Sequence, residues 1–535
     1  MSEQKAFIWE NFVKGIETKL FPLEKVETDD HVKYLFDYLD SKEIGAKTIV
    51  VEPEYVDGDF LEDFASYYVS CFAPYERFCK RLHFFSRPFE NAEWDSIIGG
   101  SAEQPLVEAF RATYLGFIVV KPLPDAIIGR TQIKTYGPDG GRRQYTALVD
   151  YDVHLFGVDL SVRSLAFQEQ DRALAACATV ALWSCFQRTS RLFGTPASRP
   201  PKITMDATMS FYDQRSLPSS GLYIEQICSS IRMNGLDPEV FSSEAMKNAP
   251  IVSLIYAYVK MGLPVLLVVD VEGLAGGHAV TICGYSFRDE VVHATELSNT
   301  EYEMPVLAGR HIDEFYAHDD QRGPFSRLEV ISPKEPGESL HFRGSWVFPE
   351  DGRYRKLVPT NVIVPVYPKI RLDYFAALKW IIKPFDITTK MVGMLKGVPD
   401  LEWDVHLTTT NDYKASLRQE AFLNPGRMAQ VLTSPQPRFF WRCILKSNGK
   451  PLLEVLIDAT GFSRSFPIQA VNFFDMDFAD GTSTVINIGA EIFSKDFRSM
   501  LRRELDDRYG PRLKSASTSN AGPATLPADD PSATE

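Results

Sequence analysis

The segment from Pro250 to Tyr285 constrains the fold more than any other stretch of this chain. Helical apolar spacing over Pro250–Met261 stops at Gly262-Leu-Pro264. A wholly apolar run of strand length follows, Val265–Val269, then a glycine-rich loop, then a second run, His278–Tyr285. Short apolar runs bounded by Gly and Pro mark strands buried in a core. Two glycines, Gly276 and Gly277, free the backbone just before His278. A histidine at the mouth of such a strand can face a cleft while the strand behind it is anchored.

At roughly 100–200 residues per domain, 535 residues predict about three domains. Residues 1–150 read as one mixed α/β region, with helical spacing in IWENFVKGIETKL and HVKYLFDYLDS and β-branched runs in KTIVVEPEYV and LGFIVVKPLP. The aromatic-rich stretch Leu61–Phe85 reads as a core-facing stripe, and Tyr136–Gly141 as a hairpin tip. Residues 151–335 form a second domain, with a strand at Val158–Phe167 and helices at Cys177–Phe193, Leu222–Asn234 and Pro250–Met261. Residues 336–395, interrupted by prolines and carrying a helix near Leu372–Ile382, are expected to connect it to a C-terminal α/β region, 396–510. There Asn448-Gly449 between two apolar runs signals a hairpin, and Ile492–Tyr509 reads as a charge-dense helix. Residues 511–535 have too little apolar content to fold and are expected to be a disordered tail.

The chain has 71 acidic against 57 basic side chains, a net charge of −14. That argues against wholesale binding of nucleic acid or anionic lipid, both of which need basic faces. The seven cysteines include no Cys-x-x-Cys pair, so neither a disulfide framework nor a zinc knuckle is expected. No secretory signal is visible in MSEQKAFIWENF. No run approaches the roughly 18 apolar residues that would span a bilayer. The expectation is a soluble protein of a reducing, cytoplasmic compartment.

Three segments carry residue types suited to covalent chemistry. In Gln170-Asp-Arg-Ala-Leu-Ala-Ala-Cys177 a cysteine opens a strongly apolar helix, with a glutamine seven positions earlier. Unpaired amides at a helix N-terminus favour a thiolate. A side-chain amide from just upstream, with the backbone N–H of the cysteine, suits an oxyanion. Taken alone, a free cysteine is more often a small core residue. His278 is placed to act as a general base, against the plainer reading of a hydrogen-bonded structural histidine. In Tyr316–Phe325 a carboxylate could accept the second ring N–H of His278 and fix its tautomer, although Asp319-Asp-Gln-Arg-Gly-Pro324 also reads as an ordinary turn.

Taken together, residues 165–330 resemble the papain-like cysteine peptidases, and most closely the branch that cleaves double-glycine leader peptides from bacteriocins, with its stand-alone bacterial relatives. Gln170, Cys177, Ala181 and Leu182 match that branch's Gln–loop–Cys helix. Gly221-Leu222 through Leu236, the Gly262-Leu-Pro-Val run, Gly277-His278 and Asp319 match its later landmarks. The chain departs from the pattern at Ala178, where the family has Gly, and in the spacing of the glutamine, which leaves Gln168 as a competing choice. The interval from His278 to Asp319 implies an inserted loop near Arg288–Arg310, and Asp320 competes with Asp319.

The resemblance implies an α+β fold: a papain-like core in which a Cys-bearing helix packs on an antiparallel sheet bearing His and Asp, flanked by the extra N- and C-terminal regions. It implies a peptidase acting on a peptide or protein through Cys177, His278 and Asp319, with Gln170 at the oxyanion and no cofactor or metal. Amide deamidation, acyl transfer of the transglutaminase kind, and a non-catalytic binding protein retaining the fold are the alternatives. A metal site built from His311, Asp313, Glu314, His318, Asp319 and Asp320 matches no spacing motif, and a solvated acidic loop is the plainer reading.

Overall fold

The computed structural model describes residues 4–171, 176–209, 221–243, 250–288, 305–333, 338–420, 425–461, 467–488, 497–499, 501–502 and 505. The chain forms two compact units, one of residues 1–292 with 308–371, the other of residues 293–307 with 372–535. Both are built on antiparallel sheets interleaved with helices, an α+β arrangement. Among the described residues no helix is long and apolar enough to cross a membrane.

The first unit begins with a five-stranded antiparallel sheet: β1 (Gln4–Ala6), β2 (Thr48–Tyr55), β3 (Cys79–Phe85), β4 (Tyr114–Val120) and β5 (Ile128–Ile133), in that order. Every residue of β4 is buried, as its run Tyr-Leu-Gly-Phe-Ile-Val-Val requires. The aromatic stretch Leu61–Phe85 departs from a single helical stripe. Its helix ends at Ser66, Phe72 is fully exposed, and Phe84 and Phe85 are buried in β3 instead. The segment holds a helical and a strand period in succession, with Pro74 between them. Tyr136–Gly141 is a turn but not a hairpin tip. It leads from β5 to the short β6 (Arg143–Gln144), which pairs in the next sheet. A two-strand ribbon follows, β7 (Val149–Leu155) with β8 (Val158–Ser164).

The second sheet holds β9 (Asp237–Ser242), β10 (Val265–Val271), β11 (Gly277–Phe287), β12 (Ile312–Asp319), β13 (Gly323–Ile331), β14 (His341–Val347) and β15 (Tyr354–Val366). Strands β10 to β15 pair in sequence, and β15 returns to pair with β10. The six close on themselves, which removes free edges; β9 adds to β15. The stretch expected to be a connector, 336–395, therefore contributes two strands of this sheet. Its prolines conceal them: Pro359 lies at the register shift where β15 passes Val269, a place where the ladder tolerates a missing N–H.

The helix Cys177–Phe193 follows Ala176, whose backbone is extended, and stops at Gly194, whose φ of 73° suits glycine. It lies on β11. Thr281 Oγ1 donates to the Ala181 carbonyl at 2.8 Å, and Ser184 Oγ to that of Ala166 at 2.8 Å. Leu182, Trp183 and Phe186 pack with Leu266, Ala279 and Ile363. A separate core joins Phe12, Leu35 and Phe84 of the N-terminal region to Cys283, Tyr316 and Phe325 of the closed sheet.

The second unit contains β16 (Leu401–Thr409), β17 (Phe439–Ser447), β18 (Lys450–Asp458) and β19 (Ile468–Phe473) in a meander. Asn448 and Gly449 have φ of 47° and 76°, the two left-handed residues that a tight two-residue hairpin demands. Of the expected helix Ile492–Tyr509, residues 497–499, 501–502 and 505 are described and helical. The expected tail, 511–535, and most of the expected loop at 288–310 lie outside the described residues.

Candidate active site

Cys177 is the first residue of its helix, so its own N–H and the next few have no intrahelical acceptor. Its side chain is partly exposed; of the seven cysteines only Cys71 shares that exposure, and all seven are free thiols. The other five are buried. Burial pushes the Cys185 thiol up to about 12 and raises those of Cys79, Cys228, Cys283 and Cys443 as well.

His278 is the second residue of β11 and faces Val269 of β10. The pairing of Thr281 with His318 brings His278 and Asp319 to the same end of neighbouring strands. The ring Nε2–H donates to Asp319 Oδ1 at 2.9 Å. Burial alone would depress the pKa of this imidazole. The charge and hydrogen bond of Asp319, then the Cys177 side chain, then Asp320, reverse that, and the net direction is well above the ordinary value. The Cys177 side chain is thus close enough to this ring to help hold its proton. The other ring nitrogen, Nδ1, is buried and has no hydrogen-bond partner among the described residues.

Asp319 ends β12 and is 1% exposed. It accepts from Trp346 Nε1 at 2.8 Å on Oδ2, and from the Gln321 N–H at 3.1 Å on Oδ1. Burial works against its charge, but His278 and these donors outweigh it and hold the carboxyl below its usual range. Asp320 differs sharply. It is equally buried, its Oδ1 is 3.9 Å from His278 Nε2, and among the described residues neither of its carboxylate oxygens has a hydrogen-bond donor. Burial pushes its pKa up to about 7 against the pull of His278.

Trp346 escaped the sequence reading because it lies in the presumed connector. Its ring stands edge-on to His278, centroids 5.1 Å apart, and Arg322 stacks over its other face at 4.3 Å. The one available signal was the alternation of Phe342, Gly344 and Trp346, all buried on one face of β14. Gln168 is buried and Gln170 half-buried, in the segment that leads toward Cys177. Residues 172–175, which complete that approach, lie outside the described residues, so the choice between the two glutamines stays open.

The six-residue metal set does not assemble. His318 is consumed structurally: Nε2–H donates to the Leu165 carbonyl at 2.9 Å and Nδ1 accepts from the Phe325 N–H at 3.2 Å, with its pKa pushed down to about 4 by burial. Among the described residues, the group compact enough to hold an ion is His278, Asp319 and Asp320, whose ligand atoms lie within 4.8 Å of one another. A cation there would displace the bond between His278 and Asp319. What the arrangement offers chemically is a partly exposed thiol at a helix start, an imidazole inclined to hold a proton, and a buried carboxylate that fixes the ring. No family model, curated protein or solved structure matches this chain.

Proposed function

We propose that this protein is a thiol-dependent hydrolase with Cys177 as nucleophile, His278 as general base and acid, and Asp319 as the group that orients the imidazole. The observation that carries the reading is that one buried imidazole is bonded to the Asp319 carboxylate through Nε2, with the Cys177 side chain close enough to favour its protonated form. Nucleophile, base and orienting acid are the parts that nucleophilic acyl transfer needs. The Cys-bearing helix laid on an antiparallel sheet that carries His and Asp agrees with the papain-like resemblance. That resemblance favours a peptide bond as substrate and a papain-like core as the fold. Seven free cysteines fit a reducing, cytoplasmic setting.

In this reading His278 takes the Cys177 thiol proton, and the sulfur attacks the scissile carbonyl carbon, forming a C–S bond as the C=O π bond breaks and its oxygen takes the negative charge. The Cys177 N–H and Gln170, or Gln168, donate to that oxygen; loss of one such donor typically costs about 100- to 1000-fold in rate. The intermediate collapses with rupture of the C–N bond, and His278 delivers its proton to the leaving amine. His278 then takes a proton from water as its oxygen attacks the thioester carbon, and rupture of the C–S bond releases the carboxylic acid and restores the Cys177 thiolate beside protonated His278.

The test is a peptide library incubated with the wild type, Cys177→Ala and His278→Ala, with products read by mass spectrometry. Cleaved peptides from the wild type alone, with all three proteins folded, are the expected result. Full cleavage by Cys177→Ala removes the proposal. A side chain heavier by about one dalton, or a crosslink, would move the same triad to deamidation or acyl transfer.

A further inference from the structure

The helix Asp30–Asp40 belongs to the N-terminal region, to which the sequence assigns no role, yet it touches both arms of the site. Its start is set by Asp29, whose side chain accepts the Val32 N–H. His31, in the first turn, donates from Nε2 to the backbone carbonyl of Asp320 at 2.9 Å. A carbonyl can only accept, so Nε2 carries the hydrogen. The other ring nitrogen lies 3.4 Å from Glu169 Oε1 and 3.9 Å from Asp29 Oδ1, and with both ring nitrogens carrying hydrogen it pairs with them. Glu169 sits between Gln168 and Gln170 and is itself pinned to β5: its N–H donates to the Ile128 carbonyl at 3.0 Å, and its Oε2 accepts the Ile128 N–H at 3.2 Å.

One turn further along the same helix, Tyr34 holds the far end of the acid turn. Its hydroxyl donates to the Pro324 carbonyl at 2.7 Å. Its ring lies against Gly323, where a Cβ would come within 2.2 Å of a ring carbon. The turn from Asp319 to Pro324 is thus gripped at both ends by one helix. That helix also reaches the glutamine-bearing segment.

We infer that His31 is a positioning residue, tying the Asp319–Asp320 turn to the segment that leads into Cys177, so that the N-terminal region is part of the catalytic scaffold. The inference rests on the thiol-hydrolase reading above. It gives a reason for the size of the chain: the carboxylate arm and the oxyanion arm come from different parts of the sequence, and a third part sets the distance between them. Misplacement by about 1 Å costs up to about 100-fold in such sites.

The experiment measures labelling of intact protein by a small iodoacetamide at pH 6, where ordinary thiols are almost wholly protonated. The readout is the ratio of the Cys177 rate to the Cys71 rate, with thermal melting alongside. The wild type should label Cys177 faster than Cys71. His31→Leu keeps the volume and removes the donor, and should lower the ratio about tenfold or more. His31→Gln places an amide N–H near the position of Nε2 and should recover the ratio to within about threefold of wild type. If His31→Leu does not fold, Tyr34→Phe, which deletes only the hydroxyl at the other end of the turn, should lower the ratio at least about threefold. A melting shift with an unchanged ratio, or Gln no better than Leu, overturns the inference and leaves the triad intact. No preference for Cys177 in the wild type overturns both readings.

Discussion

The indole N–H of Trp346 donates to Asp319 Oδ2 at 2.8 Å while its ring edge packs against His278. One side chain therefore satisfies the carboxylate and packs beside the imidazole bonded to it, which is 4% exposed. A buried carboxylate needs such donors, because an unpaired charge away from water is expensive.

Trp346→Phe keeps an aromatic ring beside His278 and deletes the donor. We predict a loss of about 1–3 kcal/mol in urea denaturation at pH 7. The sign of its pH dependence follows from Asp319, whose carboxyl is held low in the folded state. Its stabilising contribution is present above the unfolded carboxylate value, about 3.9, and is lost as pH falls through the folded value. The gap between Trp346→Phe and wild type should therefore narrow as pH falls below the unfolded carboxylate value. A gap that is the same at pH 7 and at acid pH would show that Trp346 acts by packing alone.

Asp320→Asn should behave in the opposite sense. The folded protein holds the Asp320 proton up to about pH 7, whereas the unfolded chain releases it near 4. Over that interval the unfolded state binds fewer protons, so stability falls as pH rises, and the penalty is complete above about 7. Removing the carboxylate should stabilise the protein relative to wild type at pH 8, on the order of 2–4 kcal/mol, with little gain at pH 4. Denaturation curves at the two pH values decide it, and equal effects at both would contradict the assignment.

In the second unit, Glu454 is fully buried on β18 and is held by Arg442 Nε at 2.8 Å, the Tyr413 hydroxyl at 2.5 Å and Asn472 Nδ2 at 2.8 Å. Arg442→Met leaves that carboxylate without its cation and should cost about 3–5 kcal/mol. Adding Glu454→Gln removes the stranded charge and should recover part of the loss. A double variant no better than the single one, in the same denaturation assay, would mean that the carboxylate is not what the arginine stabilises.

Several elements were legible because their signals are local. The helix Cys177–Phe193 has apolar periodicity and a terminal Gly194. The hairpin at Asn448-Gly449 needs two left-handed residues, and Asn-Gly supplies them. The buried runs at β10 and β11 are plain in composition. The aromatic stretch and the prolines of β15 were misleading for a related reason: a window of residues reports its own period, not the partner strand that will override or excuse it.

The sequence by itself determined where several helices and the Asn448-Gly449 hairpin form, and which cysteine, histidine and pair of aspartates stand at the ends of elements. Only the tertiary structure shows which of the two neighbouring aspartates bonds the imidazole. It turns the Asp319 carboxylate toward His278 and Trp346, while among the described residues that of Asp320 has no donor. It also enlisted Trp346 and His31, far away along the chain, to hold the turn. The physical reason is that periodicity and capping are short-range properties of the backbone. The partner of a buried charge is set by strand pairing and packing, which join residues that no local pattern relates.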